Sequence, residues 1–349
     1  MAAETENQAD LVLEGGGVKG IGLAGAYAAL EHAGYVPRNV AGTSAGAIAA
    51  ALITAGYSAD EISTIIIGLD FRQFEDKDWE GRIGGAGLSL LLDSGIYEGA
   101  RFRDWMREVL AAKGVHTFAD MQTGTDDPRL SSRLQVVVSD ISARRLLVLP
   151  RDAGLLGLDP LELEVADAVR MSMSIPLFFK PVRVLNTSTN HEHVLVDGAL
   201  LSNFPVWLFD CDDGVEPECP TFGLLLVEPD PKTPITERLE EPEHATRGPR
   251  GLVTLLTSLV HTMLEAHDRM YLEKAQFART IAVPTLGVRT TEVDLSKDRA
   301  QALYSAGYSA ASTFLETWNF AAYRVAFRSG RPQSRREDVT RELMQRAAI

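Results

Sequence analysis

Cysteine, long apolar runs and positive charge are all scarce in this sequence. The 349 residues include two cysteines, Cys211 and Cys219, too few for a disulfide framework. No run of about 18 apolar residues occurs, so we predict no helix that spans a membrane. The first ten residues, MAAETENQAD, are polar and acidic, unlike a secretory signal peptide. These absences predict a protein of the reducing cytoplasm.

The deficit of positive charge limits the partners that the chain can bind. Its formal net charge is −14, whereas nucleic-acid phosphates are bound by clusters of lysine and arginine. Contact with an anionic lipid surface would need a local basic or apolar patch. We therefore expect no nucleic-acid partner, and only transient, peripheral contact with a membrane surface.

The first 70 residues alternate between short apolar runs and segments with helical periodicity. Apolar runs at 10–14 and 38–42 each lead into a predicted helix, and Ser58 with Glu61 forms a capping box for a third helix. This β-α-β-α-α order predicts an α/β fold whose parallel sheet carries helices on its faces.

The rest of the chain predicts one domain rather than two. Two neighbouring strands are expected at 132–141 and 144–150, and a helix over 164–176 that Pro176 closes. Residues 71–100, rich in glycine, aromatics and charge, predict an irregular lid or mouth. The later sequence predicts long helices over 251–276 and 296–318. We place the domain at 8–325, with its motifs in 10–206 and loosely attached tails at 1–7 and 329–349.

Ser44 is a candidate nucleophile because it stands at a sharp strand-to-helix corner. It lies in Gly42-Thr43-Ser44-Ala45-Gly46, a G-x-S-x-G pattern that exposes a serine oxygen at the C-terminal edge of a sheet. The same residues would also suit a turn in which the serine only caps the following helix.

The glycine-rich segment GGGVKG at 15–20 has two functional interpretations beside a plain tight turn. It fits the dinucleotide-binding pattern G-x-G-x-x-G, which requires an acidic residue at the end of the second strand. That strand instead runs into Ser44. The alternative is an oxyanion hole, in which bare backbone N–H groups stabilise a tetrahedral intermediate and Lys19 adds positive charge.

Asp197 is the candidate base for Ser44. None of the seven histidines stands on a short loop after a strand, as a triad histidine should. Asp197 does, in VLVDGALLSNFPV, where its carboxylate could accept a hydrogen bond from Ser44. An aspartate that only caps its own turn would occupy the same position.

The three motifs in this order resemble the patatin-like phospholipases. GGGVKG, GTSAG about two dozen residues later, and DGA at Asp197 carry the resemblance, and VRMSMSIPLFFKPV before the third motif is similar to the family's usual lead-in. The resemblance implies a three-layer α/β/α fold around a mainly parallel sheet. It also implies a phospholipase A or lysophospholipase-type esterase that acts on phospholipid or lysophospholipid and needs no metal or cofactor.

The resemblance also assigns roles to individual residues. Ser44 would be the nucleophile and Asp197 the base of a two-residue dyad. The supporting residues would be an oxyanion loop (Gly15, Gly16, Gly17, Val18, Lys19, Gly20), the glycines of the nucleophile corner (Gly42, Gly46) and the dyad turn (Gly198, Ala199).

Two other functions compete with the hydrolase. One is a dinucleotide-dependent oxidoreductase, which the missing ribose-binding acid disfavours. The other is a regulatory or scaffold module without catalysis.

The acidic segment DCDDGVEPEC does not fit a calcium loop, since its fifth position is Gly214, and we interpret it as a solvated insertion.

Overall fold

The computed structural model describes residues 7–69, 99–176, 178–211, 215–227, 274–288, 290, 292 and 295–327. Most of the predicted lid at 71–100, most of the predicted helix at 251–276 and the C-terminal tail at 329–349 lie outside the described residues. Across the described ranges, we find no helix with both the length and the apolar character needed to cross a membrane.

Eight strands form one mixed sheet, in the order β5-β6-β3-β2-β1-β7-β8, with β4 paired to β3. The five strands β3, β2, β1, β7 and β8 run parallel, whereas β4, β5 and β6 pair antiparallel. This confirms the predicted α/β fold with a mainly parallel central sheet. The strands are Asn7–Leu13 (β1), Tyr35–Thr43 (β2), Leu134–Asp140 (β3), Arg145–Leu149 (β4), Val182–Asn186 (β5), His191–Asp197 (β6), Thr221–Val227 (β7) and Thr280–Pro284 (β8).

Alternate residues of the strands serve two separate cores. In β1, Leu11 and Leu13 join a large cluster that includes residues of the helices, whereas Val12 joins a smaller cluster with Phe204 and Val206. The described α-helices are Ile21–His32 (α1), Ala45–Thr54 (α2), Ala59–Gly68 (α3), Ala100–Ala111 (α4), Val165–Ser172 (α5), Lys274–Phe277 (α6), Lys297–Thr317 (α7) and Phe320–Phe327 (α8).

Two helix predictions had different outcomes. The capping box of α3 is present, because Ser58 Oγ accepts the Glu61 amide and the Glu61 carboxylate accepts the Ser58 amide. The helix predicted over 164–176 was too long, since α5 ends at Ser172. The next residues make contacts outside the helix: the Asp197 amide donates to Ser174 O at 2.9 Å.

The register of β3 determines where the motifs that carry Ser44 and Asp197 meet. Strand β2 pairs with one edge of β3, and this pairing ends where Thr43 lies opposite Val137. Strand β6 pairs with the next residues on the same edge, beginning where Asp197 lies opposite Val138. Strand β4 occupies the other edge. Strands β2 and β6 therefore meet end to end along β3, which brings the residue after Thr43 next to Asp197.

Candidate active site

Ser44 lies on a strained corner between β2 and α2. Its backbone angles are φ 54° and ψ −125°, in a region that non-glycine residues rarely adopt. The corner is tightly packed, because a Cβ at Gly46 would lie 2.3 Å from Leu13 O. Ser44 itself is only 2% exposed.

Two side chains from the residues around the end of α5 contact Ser44. Its amide donates to Ser172 Oγ at 2.9 Å, and its hydroxyl lies 3.6 Å from Met173 Sδ. Sequence reasoning missed both residues because it placed them inside a continuous helix. The available signal was the polar alternation in MSMSIP just before a proline.

Asp197 ends β6 and begins a short 3-10 helix, Gly198–Leu200. Its Oδ1 accepts the Ala199 amide at 2.8 Å, while Oδ2 has no hydrogen-bond partner among the residues that the structure describes. The turn needs glycine at 198, because a Cβ there would lie 2.3 Å from Val137 O. One carboxylate oxygen is thus fixed by the turn and the other remains available.

Burial raises the pKa of Asp197 to about 7, against the opposing effects of the nearby Ser44 hydroxyl and the Ala199 amide. The Ser44 hydroxyl does not donate a hydrogen bond to this carboxylate, because it is directed to Met173 Sδ. A carboxyl group with this pKa can take up and release a proton near neutral pH.

The glycine-rich loop follows β1 and adopts a 3-10 turn at Gly17–Gly20 before α1. Three of its amides are engaged: Gly15 N donates to Asn203 O, Val18 N to Thr290 O and Lys19 N to Gly16 O. The Gly16 and Gly17 amides donate no hydrogen bond to any described residue. Two backbone donors of the loop are therefore available to a ligand.

Asn203 ties the glycine-rich loop to the turn after Asp197. Its Nδ2 donates to Gly15 O and to Glu14 Oε1, both at 3.1 Å. Glu14 also accepts the Leu226 amide through Oε2. Sequence reasoning assigned no role to Glu14 or Asn203, although both lie within or beside the quoted motifs.

One cleft collects these groups. Its lining comprises Glu14, Gly15, Gly16, Gly17, Lys19, Ser44, Ile175, Asp197, Ala199, Asn203, Leu226 and Thr290. The structure thus brings the predicted nucleophile, base and much of the glycine-rich loop to one place. Gly42 and Gly46 pack the corner behind Ser44, and a Cβ at Gly20 would contact Ala45.

The histidines that the structure describes lie in other contacts. His32 hydrogen-bonds Tyr308, and His193 hydrogen-bonds Asp140 and packs against the His191 ring. Over the described ranges, no group of three or more His, Cys, Asp or Glu side chains is arranged to hold a metal ion.

Comparisons with known proteins identify the family of the chain. The family model for patatin-like phospholipase matches residues 11–210, more than half of the chain. The uncharacterised protein YqhO of Bacillus subtilis is 35% identical over 321 residues, which cover 89% of this chain and 99% of that protein. An uncharacterised NTE family protein of Mycobacterium bovis is 30% identical over 213 residues, 60% of this chain and 29% of that protein.

A solved structure shares the fold at low sequence identity. The crystal structure of VipD from Legionella pneumophila has a TM-score of 0.56 and 16% identity, covering 89% of this chain and 67% of that chain. The family model and the full-length relative carry the assignment. The chain belongs to the patatin-like phospholipase family.

Proposed function

We propose that the chain is a serine lipid acyl hydrolase in which Ser44 and Asp197 form the catalytic dyad. The observation that carries this proposal is the Asp197 carboxylate, which is buried beside the Ser44 corner with a pKa raised to about 7 and whose Oδ2 has no hydrogen-bond partner within the described ranges. The family membership supports lipid esters as the substrate class, and we propose phospholipid or lysophospholipid.

The reaction would begin when Asp197 Oδ2 accepts the proton of Ser44. The serine oxygen attacks the ester carbonyl and forms a tetrahedral intermediate. Its oxyanion accepts hydrogen bonds from the Gly16 and Gly17 amides. Each such donor is worth about 3 kcal/mol in a hydrolase. The intermediate collapses, the ester C–O bond breaks, and Asp197 returns the proton to the leaving alcohol.

Water would then complete the turnover. Asp197 accepts a proton from water, the resulting hydroxide attacks the acyl-serine, and the fatty acid leaves as Ser44 regains its proton. Lys19, which is buried in the same loop, would add positive charge near the oxyanion.

Labelling with a serine-directed fluorophosphonate tests this proposal. We expect the wild-type chain to be labelled at Ser44, as located by mass spectrometry, and to release fatty acid from phospholipid or lysophospholipid micelles. Ser44→Ala should remove both signals while the circular dichroism spectrum is kept.

The competing functions give different results in the same experiment. A folded wild-type chain that neither reacts nor hydrolyses esters would support the regulatory module. Binding of a nicotinamide cofactor with micromolar affinity, if a Gly17→Ala variant no longer shows it, would support the oxidoreductase. Labelling at another serine, with Ser44→Ala fully active, would reject the dyad.

A further inference from the structure

Three consecutive residues at the end of α5 contact both members of the proposed dyad. Ser172 Oγ accepts the Ser44 amide at 2.9 Å, and Met173 Sδ lies 3.6 Å from the Ser44 hydroxyl. The carbonyl of Ser174 accepts the Asp197 amide at 2.9 Å. This segment therefore joins the nucleophile and the base outside the sheet.

The Ser172 hydroxyl makes two hydrogen bonds that fix its orientation. It donates to Val137 O at 2.7 Å and accepts from Ser44 N, and the Ser172 side chain is fully buried. Val137 is the residue of β3 that lies opposite Thr43. The hydroxyl thus links the central strand β3 to the peptide that precedes the nucleophile.

Ser44 needs such a link for two physical reasons. Its positive φ is a strained conformation that surrounding contacts must maintain. Ser44 is the residue before α2, so its amide lies outside the hydrogen-bond ladder of that helix, and a buried amide without an acceptor is destabilising. The Ser172 oxygen supplies that acceptor.

We propose that Ser172 is a positioning residue that holds the Ser44 corner in its reactive geometry. This inference rests on the proposed role of Ser44 as nucleophile. Ser172 touches the backbone of Ser44 and leaves its hydroxyl to the substrate. The contacts that fix Asp197, from Ser174 O and the Ala199 amide, do not involve the Ser172 side chain.

Removal of this hydroxyl should slow the chemical step and leave the base unchanged. We expect Ser172→Ala to lower kcat for a soluble p-nitrophenyl ester by about 10- to 100-fold, because small displacements of a nucleophile have effects of this size. KM should stay within about threefold. The apparent pKa of the rate should not move, since the Asp197 contacts remain.

Ser132→Ala is the matched control. Ser132 is also a buried serine whose hydroxyl accepts a backbone amide, that of Leu134, but it lies before β3 at the opposite end of that strand from Asp140. We expect this variant to keep kcat within about threefold of wild type. If Ser172→Ala fails to fold, Ser172→Cys takes its place in the test. Cysteine is nearly isosteric with serine but a weaker acceptor, so this variant should lose less kcat than is expected for Ser172→Ala.

The experiment measures kcat, KM and the fluorophosphonate labelling rate at Ser44 between pH 6 and 9, with folding followed by circular dichroism. A folded Ser172→Ala or Ser172→Cys that labels as fast as Ser132→Ala would overturn the inference, as would a shifted apparent pKa at unchanged kcat. An unlabelled wild-type chain would instead overturn the proposed function, and the inference with it.

Discussion

Asp140 and Asp197 lie at neighbouring positions of the sheet and are equally inaccessible to solvent, yet their environments have opposite effects. Asp140 ends β3 opposite Leu195, and Asp197 ends β6 opposite Val138. Both are 0% exposed. The pKa of Asp197 is raised to about 7, whereas that of Asp140 is lowered.

Hydrogen-bond donors lower the pKa of Asp140 against the effect of its burial, and Asp197 receives fewer such donors. Burial raises the pKa of both groups, but in Asp140 the hydrogen bonds from the Ala143 amide, His193 and the Ser142 side chain outweigh this effect. Asp140 Oδ2 accepts His193 Nδ1 at 2.7 Å, and Arg145 Nε lies 3.5 Å away. Asp197 accepts the Ala199 amide on Oδ1, and its Oδ2 has no hydrogen-bond partner in the part of the chain that the structure describes.

This contrast separates a structural carboxylate from a candidate base. A carboxylate that is fully supplied with donors stays ionised and holds its turn together, but it takes up a proton reluctantly. A buried carboxylate with one oxygen left over is poised to accept a proton at neutral pH. Substitution of each aspartate by asparagine should therefore affect activity and stability differently.

The largest expected difference is in activity. Asp197→Asn keeps the size of the side chain and removes the base, so ester hydrolysis should fall by at least about 1,000-fold. Asp140→Asn should keep kcat within about threefold. Both are measured with a soluble p-nitrophenyl ester and with micellar phospholipid.

The activity of Asp197→Asn on the two substrates is also informative. The variant should lose both activities together, because one proton acceptor serves both. A variant that still hydrolyses the soluble ester and loses only the lipid activity would make Asp197 a docking or structural residue.

The second difference is in the pH dependence of the rate. If Asp197 is the base, kcat/KM should rise about tenfold per pH unit up to about pH 7 and level off above it, since only the ionised carboxylate accepts the proton. At pH 5 the rate would be about 100-fold below the plateau. Asp140→Asn should show the same profile, because its titration is not coupled to the reaction. A midpoint near 4 in wild type would contradict the assignment.

Much of this architecture was predictable from the sequence. The β-α-β-α-α order, the capping box of α3 and the three glycine motifs follow from local patterns, and the family and fold agree with them. Asp140 ends β3, and its Oδ1 accepts hydrogen bonds from the Ser142 and Ala143 amides in the turn that follows.

The long-range contacts of the site were not predictable in the same way. Ser172 and Asn203 contact the motifs across 128 and 188 positions of the chain, respectively, and no local periodicity encodes such pairs. The end of α5 was misplaced for a related reason. Met173 and Ser174 have side chains compatible with a helix, but they contact Ser44 and Asp197 instead.

The smallest expected difference is in stability, and its sign is opposite for the two aspartates. Asp197 binds a proton more tightly in the folded chain, with a pKa of about 7, than in the unfolded chain, where the ordinary value is 3.8. The free energy of unfolding should therefore fall as pH rises between these values, by at most about 4 kcal/mol. Asp197→Asn removes this loss and should raise the free energy of unfolding at pH 8, by at most about 4 kcal/mol, with little effect at pH 4. Asp140→Asn should lower it at pH 8, because the lowered pKa of Asp140 adds stability that is present above pH 4 and disappears as the group is protonated. Urea denaturation of wild type and both variants at pH 4 and pH 8 measures these differences. Destabilisation of Asp197→Asn at pH 8 comparable to that of Asp140→Asn would mean that Asp197 is a structural carboxylate like its neighbour.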